Sequence, residues 1–403
     1  MRHSTDRILV SHAGNLPRPE YLDELIAGGR AREGSNRKEY HERLPKAVQH
    51  IVDRQIELGV DVVNDGEYAK AGSYGGYMQE RVEGFSTVPA DPNRKPKRAG
   101  TAERDRQQFP GFYASGLWYS GSGGPIRPGF ATPGEVRQIQ SRETRACTAP
   151  VRYTGQKAVA EDVANLNAAL EGKSVEGCIT ALGPLSLGAG VHNLHYRTEE
   201  EYMQAVADAC HEEYKAIADG GLVLQLDEPE FCTTWSFYPA WSVDDLRKYL
   251  SGAVELINYA LRGIPSEQVR FHTCWGSGHR PHVTDIELRH IADLLVNINA
   301  QCISVEAANV RHEHEWQVWR DVKLPEGKIL MPGVISHATD LVEHPDLIAE
   351  RLCNYASVVG KENVQTGTDC GIGSRVGHEE IVWAKLATMT EGARRASRQL
   401  WGD

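Results

Sequence analysis

The sequence lacks the features of a membrane protein, of an exported protein and of a general nucleic-acid binder. It contains no uninterrupted apolar run of about 18 residues, the length that a membrane-spanning helix requires. The opening residues, MRHSTDRILVSH, hold no apolar stretch long enough for a secretory signal. Lys and Arg number 44 against 55 Asp and Glu, a formal charge of −11 that argues against a basic binding face. We therefore expect a cytoplasmic protein that binds neither membranes nor nucleic acid.

The chain also lacks solenoid-type repeats and a glycine-rich dinucleotide fingerprint after its first strand. What it has is a regular alternation of short apolar, β-branched segments with longer segments of helical periodicity. Eight segments have the composition of strands: Ile8–Val10, Asp61–Asn64, Cys178–Thr180, Leu222–Asp227, Val269–His272, Cys302–Glu306, Ile329–Val334 and Asn363–Gly367. This α/β pattern predicts a (β/α)8 TIM-like barrel. A doubly wound open sheet would alternate in the same way, but the missing fingerprint favours the barrel.

One stretch, residues 85–149 between the second and third predicted strands, interrupts the alternation. It is rich in Pro, Gly, Ser and Arg and shows no sustained period. Because it is too long for a plain loop, we predict an insertion within a single barrel that spans residues 1–403. The insertion could cover the barrel, form the contact of a homo-oligomer, or act as a lid with substrate contacts.

Cysteine and histidine at the predicted strand ends indicate a metal site, since barrel active sites lie at the C-terminal ends of the strands. His272 and Cys274 are two residues apart at the end of the fifth strand, so both side chains point to the same side. Glu306 ends the sixth strand and Cys370 follows the eighth, so all four could converge above the barrel. Two thiolates, an imidazole and an oxygen donor suit tetrahedral Zn²⁺, which we predict as the cofactor.

The other cysteines are interpreted differently. A chain of this length without an export signal is not expected to form a disulfide framework. Cysteines away from the strand ends are predicted to be small buried apolar side chains. These are Cys147, Cys178, Cys210, Cys232, Cys302 and Cys353.

Further polar side chains at predicted strand ends are candidates for catalysis. Glu67 follows the second strand, Asp227 closes the fourth, and His337 follows the seventh. His282 comes after the fifth strand and could serve as an acid or a substrate contact. Other polar residues at these ends are His12, Asn15, Asp65, Glu228, Glu230, His279 and Asp369.

A second pair of histidines, His312 and His314, is an alternative candidate for a metal site. Their spacing of two does not place both on one face of a helix, where metal ligands lie three or four residues apart. We therefore interpret both as polar residues of a loop or of a helix start.

Taken together, these motifs resemble the catalytic C-terminal barrel of the cobalamin-independent methionine synthase family. The residues that carry the resemblance are His272-Thr273-Cys274, Glu306, Asp369-Cys370-Gly371, Gly66-Glu67 and Leu226-Asp227-Glu228-Pro229. The resemblance implies that the first three motifs hold zinc. It also implies that Glu67 and Asp227 match positions that bind an amino-acid substrate.

Within that family the chain looks most similar to epoxyalkane:coenzyme M transferases. The stretches HTCWGSGHRPHVTDI, HEWQVW, TDCGIGSR and WAKLATMTEGAR carry this similarity, together with the opening SHAGNLPRP. The sequence YAKAGSYGGY after Glu67 departs from the methionine synthase pattern where folate and homocysteine are handled. His337 appears one place earlier than the strand-seven histidine of the family.

Three functions follow as hypotheses, all with a small-molecule partner. The first is a zinc-activated thiolate that opens an epoxide to a 2-hydroxyalkyl thioether, with Glu306 as the weak zinc ligand. The second is methyl transfer from a methyl donor to homocysteine or another thiol, and the third is a zinc or small-molecule binding barrel without turnover. In the first, the acid could be His282, His337, Tyr74 or Arg375. A sulfonate on the thiol could pair with one of Arg18, Arg280 and Arg375.

Overall fold

The computed structural model describes the chain except residues 28–29, 32–34, 71–74, 92, 95–96, 100–101, 116–142, 277, 279, 374–375 and 403. Three of the candidates above, Tyr74, His279 and Arg375, lie outside the described residues, as does the centre of the predicted insertion.

Eight parallel strands form the centre of the molecule. Numbered in chain order, they are β1 Leu9–Val10, β2 Val62–Asn64, β3 Glu176–Leu182, β4 Val223–Asp227, β5 Val269–Thr273, β6 Cys302–Val305, β7 Ile329–Ile335 and β8 Gln365–Thr368. Each strand from β2 to β8 pairs with the next, and β8 pairs with β1. The ring closes where the Asp61 N–H donates to the Val10 carbonyl at 2.8 Å and Ser11 Oγ donates to the Val62 carbonyl at 3.0 Å. The prediction of a (β/α)8 barrel interrupted between β2 and β3 is confirmed.

Helices surround the strands because each buries one apolar stripe against them. In Glu199–Asp219 the side chains of Val206, Cys210 and Ile217 are buried, and Thr198 Oγ1 caps the first turn by accepting the Glu201 N–H at 3.1 Å. Fully burying one such aliphatic side chain contributes about 1.5–3 kcal/mol. The other long helices are Ser35–Glu57, Gln156–Leu170, Val243–Ala260, Pro345–Val359 and Glu379–Trp401.

Shorter elements connect these units. The short α-helices are Glu20–Asp23, Met78–Arg81, Pro184–Gly188, Glu230–Phe237 and Ala292–Leu295. The 3₁₀ helices are Ser266–Gln268, Leu288–His290, Glu313–Arg320 and Lys361–Asn363. Ile26–Ala27 and Arg30–Ala31 form a small antiparallel pair. Among the described helices, none is both long enough and apolar enough to cross a bilayer.

The segment predicted as an insertion contains regular structure, although its sequence shows no sustained period. Strand Val82–Pro89 pairs antiparallel with Glu143–Tyr153, which also pairs with His192–Asn193. Two short helices, Glu103–Gln108 and Pro110–Ala114, lie between them in the chain. The paired strands are far apart in sequence, so no local pattern reveals their partnership. The limits 1–403 for one domain and 85–149 for the insertion stay predictions.

Candidate metal centre and substrate site

The side chains of His272, Cys274 and Cys370 meet at the C-terminal end of the barrel. One ligand atom from each lies within 4.8 Å of the other two, and the two sulfur atoms are 3.9 Å apart. This separation is far longer than the roughly 2.05 Å of a disulfide bond. Two sulfurs at about 2.3 Å from a tetrahedral zinc would be about 3.8 Å apart. The spacing of the thiols therefore fits a shared metal ion.

His272 has one ring nitrogen engaged and one left over. Its Nδ1 lies 3.0 Å from Ser304 Oγ, which fixes the plane of the ring. Its Nε2 is buried and has no hydrogen-bond partner among the described residues. Leaving such a group unsatisfied costs about 1–3 kcal/mol. A metal ion at Nε2 would remove that cost, and the contact at Nδ1 is typical of a histidine ligand.

The two thiols differ in their affinity for a proton. A hydrogen bond from the Cys274 thiol, with the charges of His272 and His337, holds the pKa of Cys370 well below its usual range despite burial. The same hydrogen bond and burial raise the pKa of Cys274 well above its usual range. These pKa shifts have opposite directions, so Cys274 holds its proton more strongly than Cys370. Binding of a metal ion would displace that proton.

Glu306, the fourth predicted ligand, lies in an adjoining group with His337 and Asp369, whose ligand atoms are within 4.8 Å of one another. Its Oε2 accepts the Trp275 N–H at 2.8 Å and its Oε1 accepts a hydrogen bond from Asn309 at 2.6 Å. Burial and the neighbouring Asp369 raise the pKa of Glu306 well above its usual range. The structure thus brings three of the four predicted ligands into one group and places Glu306 beside it.

Glu67 and Asp227, the predicted substrate contacts, are both buried at the same end of the barrel. Glu67 Oε1 accepts a hydrogen bond from Thr180 Oγ1 at 2.9 Å. Gly14 has a φ of +108°, which side chains of L-residues rarely adopt, and a Cβ atom there would lie 2.4 Å from that oxygen, so this position favours glycine. Burial raises the pKa of Asp227 to about 7, with a further increase from the charge of Glu67. Two buried carboxylates that repel each other favour a positively charged ligand.

Lys70 is a basic residue that the sequence pattern did not single out. Its Nζ donates to the main-chain carbonyl and to Oγ1 of Thr180, the residue that also contacts Glu67. It is buried, and it lowers the pKa of Asp227. Its position in an Ala-Lys-Ala sequence gave no sign of burial.

His282, predicted as an acid or a substrate contact, makes structural contacts with both ring nitrogens. Its Nδ1 lies 2.6 Å from Asp285 Oδ2 and its Nε2 lies 3.0 Å from the Gly278 carbonyl. Both ring nitrogens are therefore engaged, and neither is left to serve a substrate in this arrangement. These contacts do not favour the acid role for His282, whereas His337 lies beside Cys370 and Glu306.

A buried ionic network surrounds His282, and its central acid comes from the predicted insertion. The carboxylate of Asp105 accepts hydrogen bonds from Arg280 at 2.8 Å, from the His282 N–H at 3.1 Å and from Thr284 Oγ1 at 2.7 Å. Arg280 also pairs with Asp285 at 2.9 Å. Arg280 is thus buried and paired, which corrects its interpretation as a partner for a sulfonate. The insertion fixes the loop that follows Cys274.

His312 also belongs to this network. It is the N-cap of the 3₁₀ helix Glu313–Arg320, in agreement with its interpretation as a residue of a helix start, and its side chain is buried. Burial lowers its pKa, but hydrogen bonds with Asp285 and Glu315 outweigh burial and raise it to about 10. Its ring stacks on Trp275 with a centroid distance of 3.9 Å. The main-chain N–H of Trp275 donates to Glu306, so the network reaches the candidate metal centre through this residue.

Three of the remaining strand-end candidates have structural partners. His12 lies 2.8 Å from Gln55, Glu228 accepts the Leu185 N–H at 2.8 Å, and Glu230 pairs with Arg98 at 2.6 Å. Arg18 pairs with Asp23 at 3.0 Å. Of the six other cysteines, five are buried as predicted and Cys353 is partly exposed.

Known proteins resemble the chain along most of its length. The family model described as the cobalamin-independent synthase catalytic domain matches residues 129–395. The methionine synthase of Saccharolobus solfataricus is 23% identical over 394 residues, which cover 96% of this chain and 94% of that protein. The methionine synthase of Sulfolobus acidocaldarius is 23% identical over 385 residues, which cover 94% and 89%.

Solved structures resemble it in the same way. The B12-independent methionine synthase from Shewanella sp. W3-18-1, in complex with selenomethionine, has a TM-score of 0.68 at 19% identity and covers 98% of this chain and 99% of that chain. The putative B12-independent methionine synthase from Listeria monocytogenes has a TM-score of 0.64 at 16% identity and covers 100% of both chains. At these identities the likeness shows a shared fold.

Proposed function

The chain belongs to the cobalamin-independent synthase catalytic-domain family, and from that premise we propose that it transfers a methyl group to the thiol of homocysteine at a zinc ion. This is the second of the three hypotheses drawn from the sequence. The epoxide-opening hypothesis is not supported, because the curated relatives named above are methionine synthases. A methyltransferase that acts on a thiol is the common activity that these relatives indicate.

The observation that carries the proposal is the group formed by His272, Cys274 and Cys370. Its two sulfurs are 3.9 Å apart and its one buried imidazole nitrogen lacks a partner among the described residues. We propose that these residues hold zinc and that Glu306 is the exchangeable fourth ligand. When bound, zinc would lower the pKa of a substrate thiol so that the thiolate is present at neutral pH.

The acceptor is proposed to be an amino acid because of the two carboxylates beside this group. Glu67 and Asp227 are buried near each other, and the ammonium group of homocysteine would relieve their repulsion. Thr180 and Gln225 each donate one hydrogen bond to these carboxylates, which limits how they can move. Together they would orient the substrate so that its sulfur faces the cysteines.

His337 is proposed to handle the proton of the reaction. As the substrate sulfur forms its bond to the methyl carbon, the bond to the donor breaks and its electron pair leaves with the donor. The departing group then needs a proton, and His337 lies in a group with Glu306 and Asp369 beside Cys370. A positioned general acid of this kind typically contributes about 10²–10⁴-fold.

Product identification tests the proposal. The zinc-loaded enzyme is incubated with homocysteine and methyltetrahydrofolate, and separately with coenzyme M and epoxypropane. We expect methionine from the first mixture and no thioether from the second. Thioether formed only in the second mixture would contradict the proposal. The Cys370→Ala variant, checked for an unchanged fold by circular dichroism, is expected to form neither product, and normal methionine formation by it would refute the role of the cysteines.

A further inference from the structure

Arg270 is a buried cation for which the proposed chemistry has no direct use. It is fully buried in β5, two residues before His272. Among the described residues it donates to an amide oxygen and a main-chain carbonyl and also interacts with the Cys302 thiol, and its Nε and Nη2 atoms have no nitrogen or oxygen partner there. Burying a guanidinium without a carboxylate costs several kcal/mol. Such a cost indicates that the charge serves a neighbour.

That neighbour is Gln225 on β4. Arg270 Nη1 donates to Gln225 Oε1 at 3.1 Å, and Gln225 Nε2 donates to Asp227 Oδ1 at 2.8 Å and to the Ala13 carbonyl at 2.6 Å. A guanidinium can only donate, so it fixes the amide oxygen of Gln225 on its own side. The amide nitrogen must then face the carboxylate of Asp227.

We infer that Arg270 and Gln225 form a relay that positions the Asp227 carboxylate to receive the ammonium group of the acceptor thiol. This inference rests on the proposed function, since it assumes an acceptor that carries an amino group. Among the described residues, Gln225 is the only hydrogen-bond donor to the side chain of Asp227. The relay therefore holds Oδ1 in place and leaves Oδ2 to the ligand.

The strand register places this relay directly beneath the metal centre. Arg270 is the register partner of Gln225, and His272 is the register partner of Asp227. The side chains at 270 and 272 share one face of β5 because strand side chains alternate. A change at Arg270 can thus alter the orientation of Asp227 without touching a zinc ligand. Arg270 is a positioning residue, since it acts through Gln225.

The test compares two thiols that differ only in the amino group. Homocysteine and 4-mercaptobutanoate are titrated into the zinc-loaded full-length protein by calorimetry. We expect the wild type to bind homocysteine more tightly. In Arg270→Met, homocysteine should bind about tenfold more weakly, because Gln225 Oε1 loses its donor, while the affinity for 4-mercaptobutanoate changes less than about twofold.

Three further variants keep the test decisive if Arg270→Met does not fold. Gln225→Glu retains the acceptor for Arg270 but has no N–H for Asp227, so it should lose the preference for homocysteine. Arg270→Lys keeps a buried cationic donor and should restore part of the preference. Thr366→Val is the matched control, since its buried hydroxyl has no hydrogen-bond partner among the described residues and its removal should change neither affinity.

The outcomes separate the inference from the proposed function. Loss of the amino-group preference in Gln225→Glu, and also in Arg270→Met where that variant folds, with zinc content unchanged, supports the relay. A preference that survives in Gln225→Glu overturns the relay and leaves the proposed function intact, as does equal weakening of both thiols. A wild type that shows no preference overturns the proposed acceptor, and the relay with it.

Discussion

Two histidines near the end of β5 have opposite surroundings. His272 has a ring nitrogen without a hydrogen-bond partner among the described residues, next to two thiols. His282 has Asp285 on one nitrogen and the Gly278 carbonyl on the other. Buried polar groups are normally satisfied, and an unpartnered imidazole nitrogen beside two thiols fits a site for a metal ion. His282, whose two nitrogens have partners, belongs to the structure that supports this site. Residue type alone does not distinguish the two histidines.

The largest effect on this contrast between the two histidines is expected when a thiol beside His272 is removed. Cys370→Ala should lose bound zinc and lower methyl transfer at least about 1000-fold, because the metal supplies several kcal/mol of the chemistry. Zinc is measured by mass spectrometry and methionine by chromatography. Cys353→Ala changes a partly exposed cysteine outside the site and should leave both unchanged. A Cys370→Ala protein with full zinc content would contradict the assignment.

Removing Asp105 from the network around His282 should lower the free energy of unfolding. Asp105→Ala leaves Arg280 with Asp285 as its one carboxylate partner among the described residues and removes the acceptor of Thr284 Oγ1, so we expect a loss of about 3–5 kcal/mol in the free energy of unfolding. Urea denaturation measures it. Glu103→Ala on the same helix alters a half-exposed pair with Arg106 and should change stability by less than about 1 kcal/mol. Equal effects of the two variants would mean that Asp105 does not anchor the loop.

Separate substitutions of the two candidate acids, His337 and His282, test the comparison further. His337→Gln should lower kcat about 100-fold with zinc content unchanged, as expected for a lost proton donor. His282→Gln should lower the free energy of unfolding but change kcat less than about fivefold. A large loss of kcat in His282→Gln together with a small one in His337→Gln would contradict the assignment of His337 as the acid.

The smallest expected effect concerns His12, another satisfied histidine. Burial lowers its pKa to about 4, although the hydrogen bond with Gln55 opposes this. Between pH 6.5 and 4 the unfolded chain binds a proton that the folded chain does not, so this group makes stability fall as pH falls. From pH 7.5 to 5 its contribution is about 2 kcal/mol. Unfolding of His12→Gln should show a correspondingly weaker dependence on pH, and an identical pH dependence in both proteins would refute it.

Local patterns in the sequence predicted the barrel and placed His272 and Cys274 on one side of a strand end. Apolar segments recur between helical ones, and the period of two along β5 places His272 and Cys274 on one side. Other parts depend on contacts between distant residues. Asp105 meets Arg280 across 175 positions, and nothing near either residue announces the pair. The pairing of the buried Arg270 with Gln225 likewise depends on the register of β4 and β5. From its residue type alone, an arginine is expected to be exposed to solvent.

Zinc K-edge absorption of the wild-type protein with and without homocysteine tests the central claim most directly. The account predicts two sulfur ligands at about 2.3 Å without the thiol and three when homocysteine is added, with loss of an oxygen ligand assigned to Glu306. The same protein with Cys370→Ala should show no such centre. Purified protein that takes up no zinc, or a zinc signal that homocysteine leaves unchanged, would contradict the account.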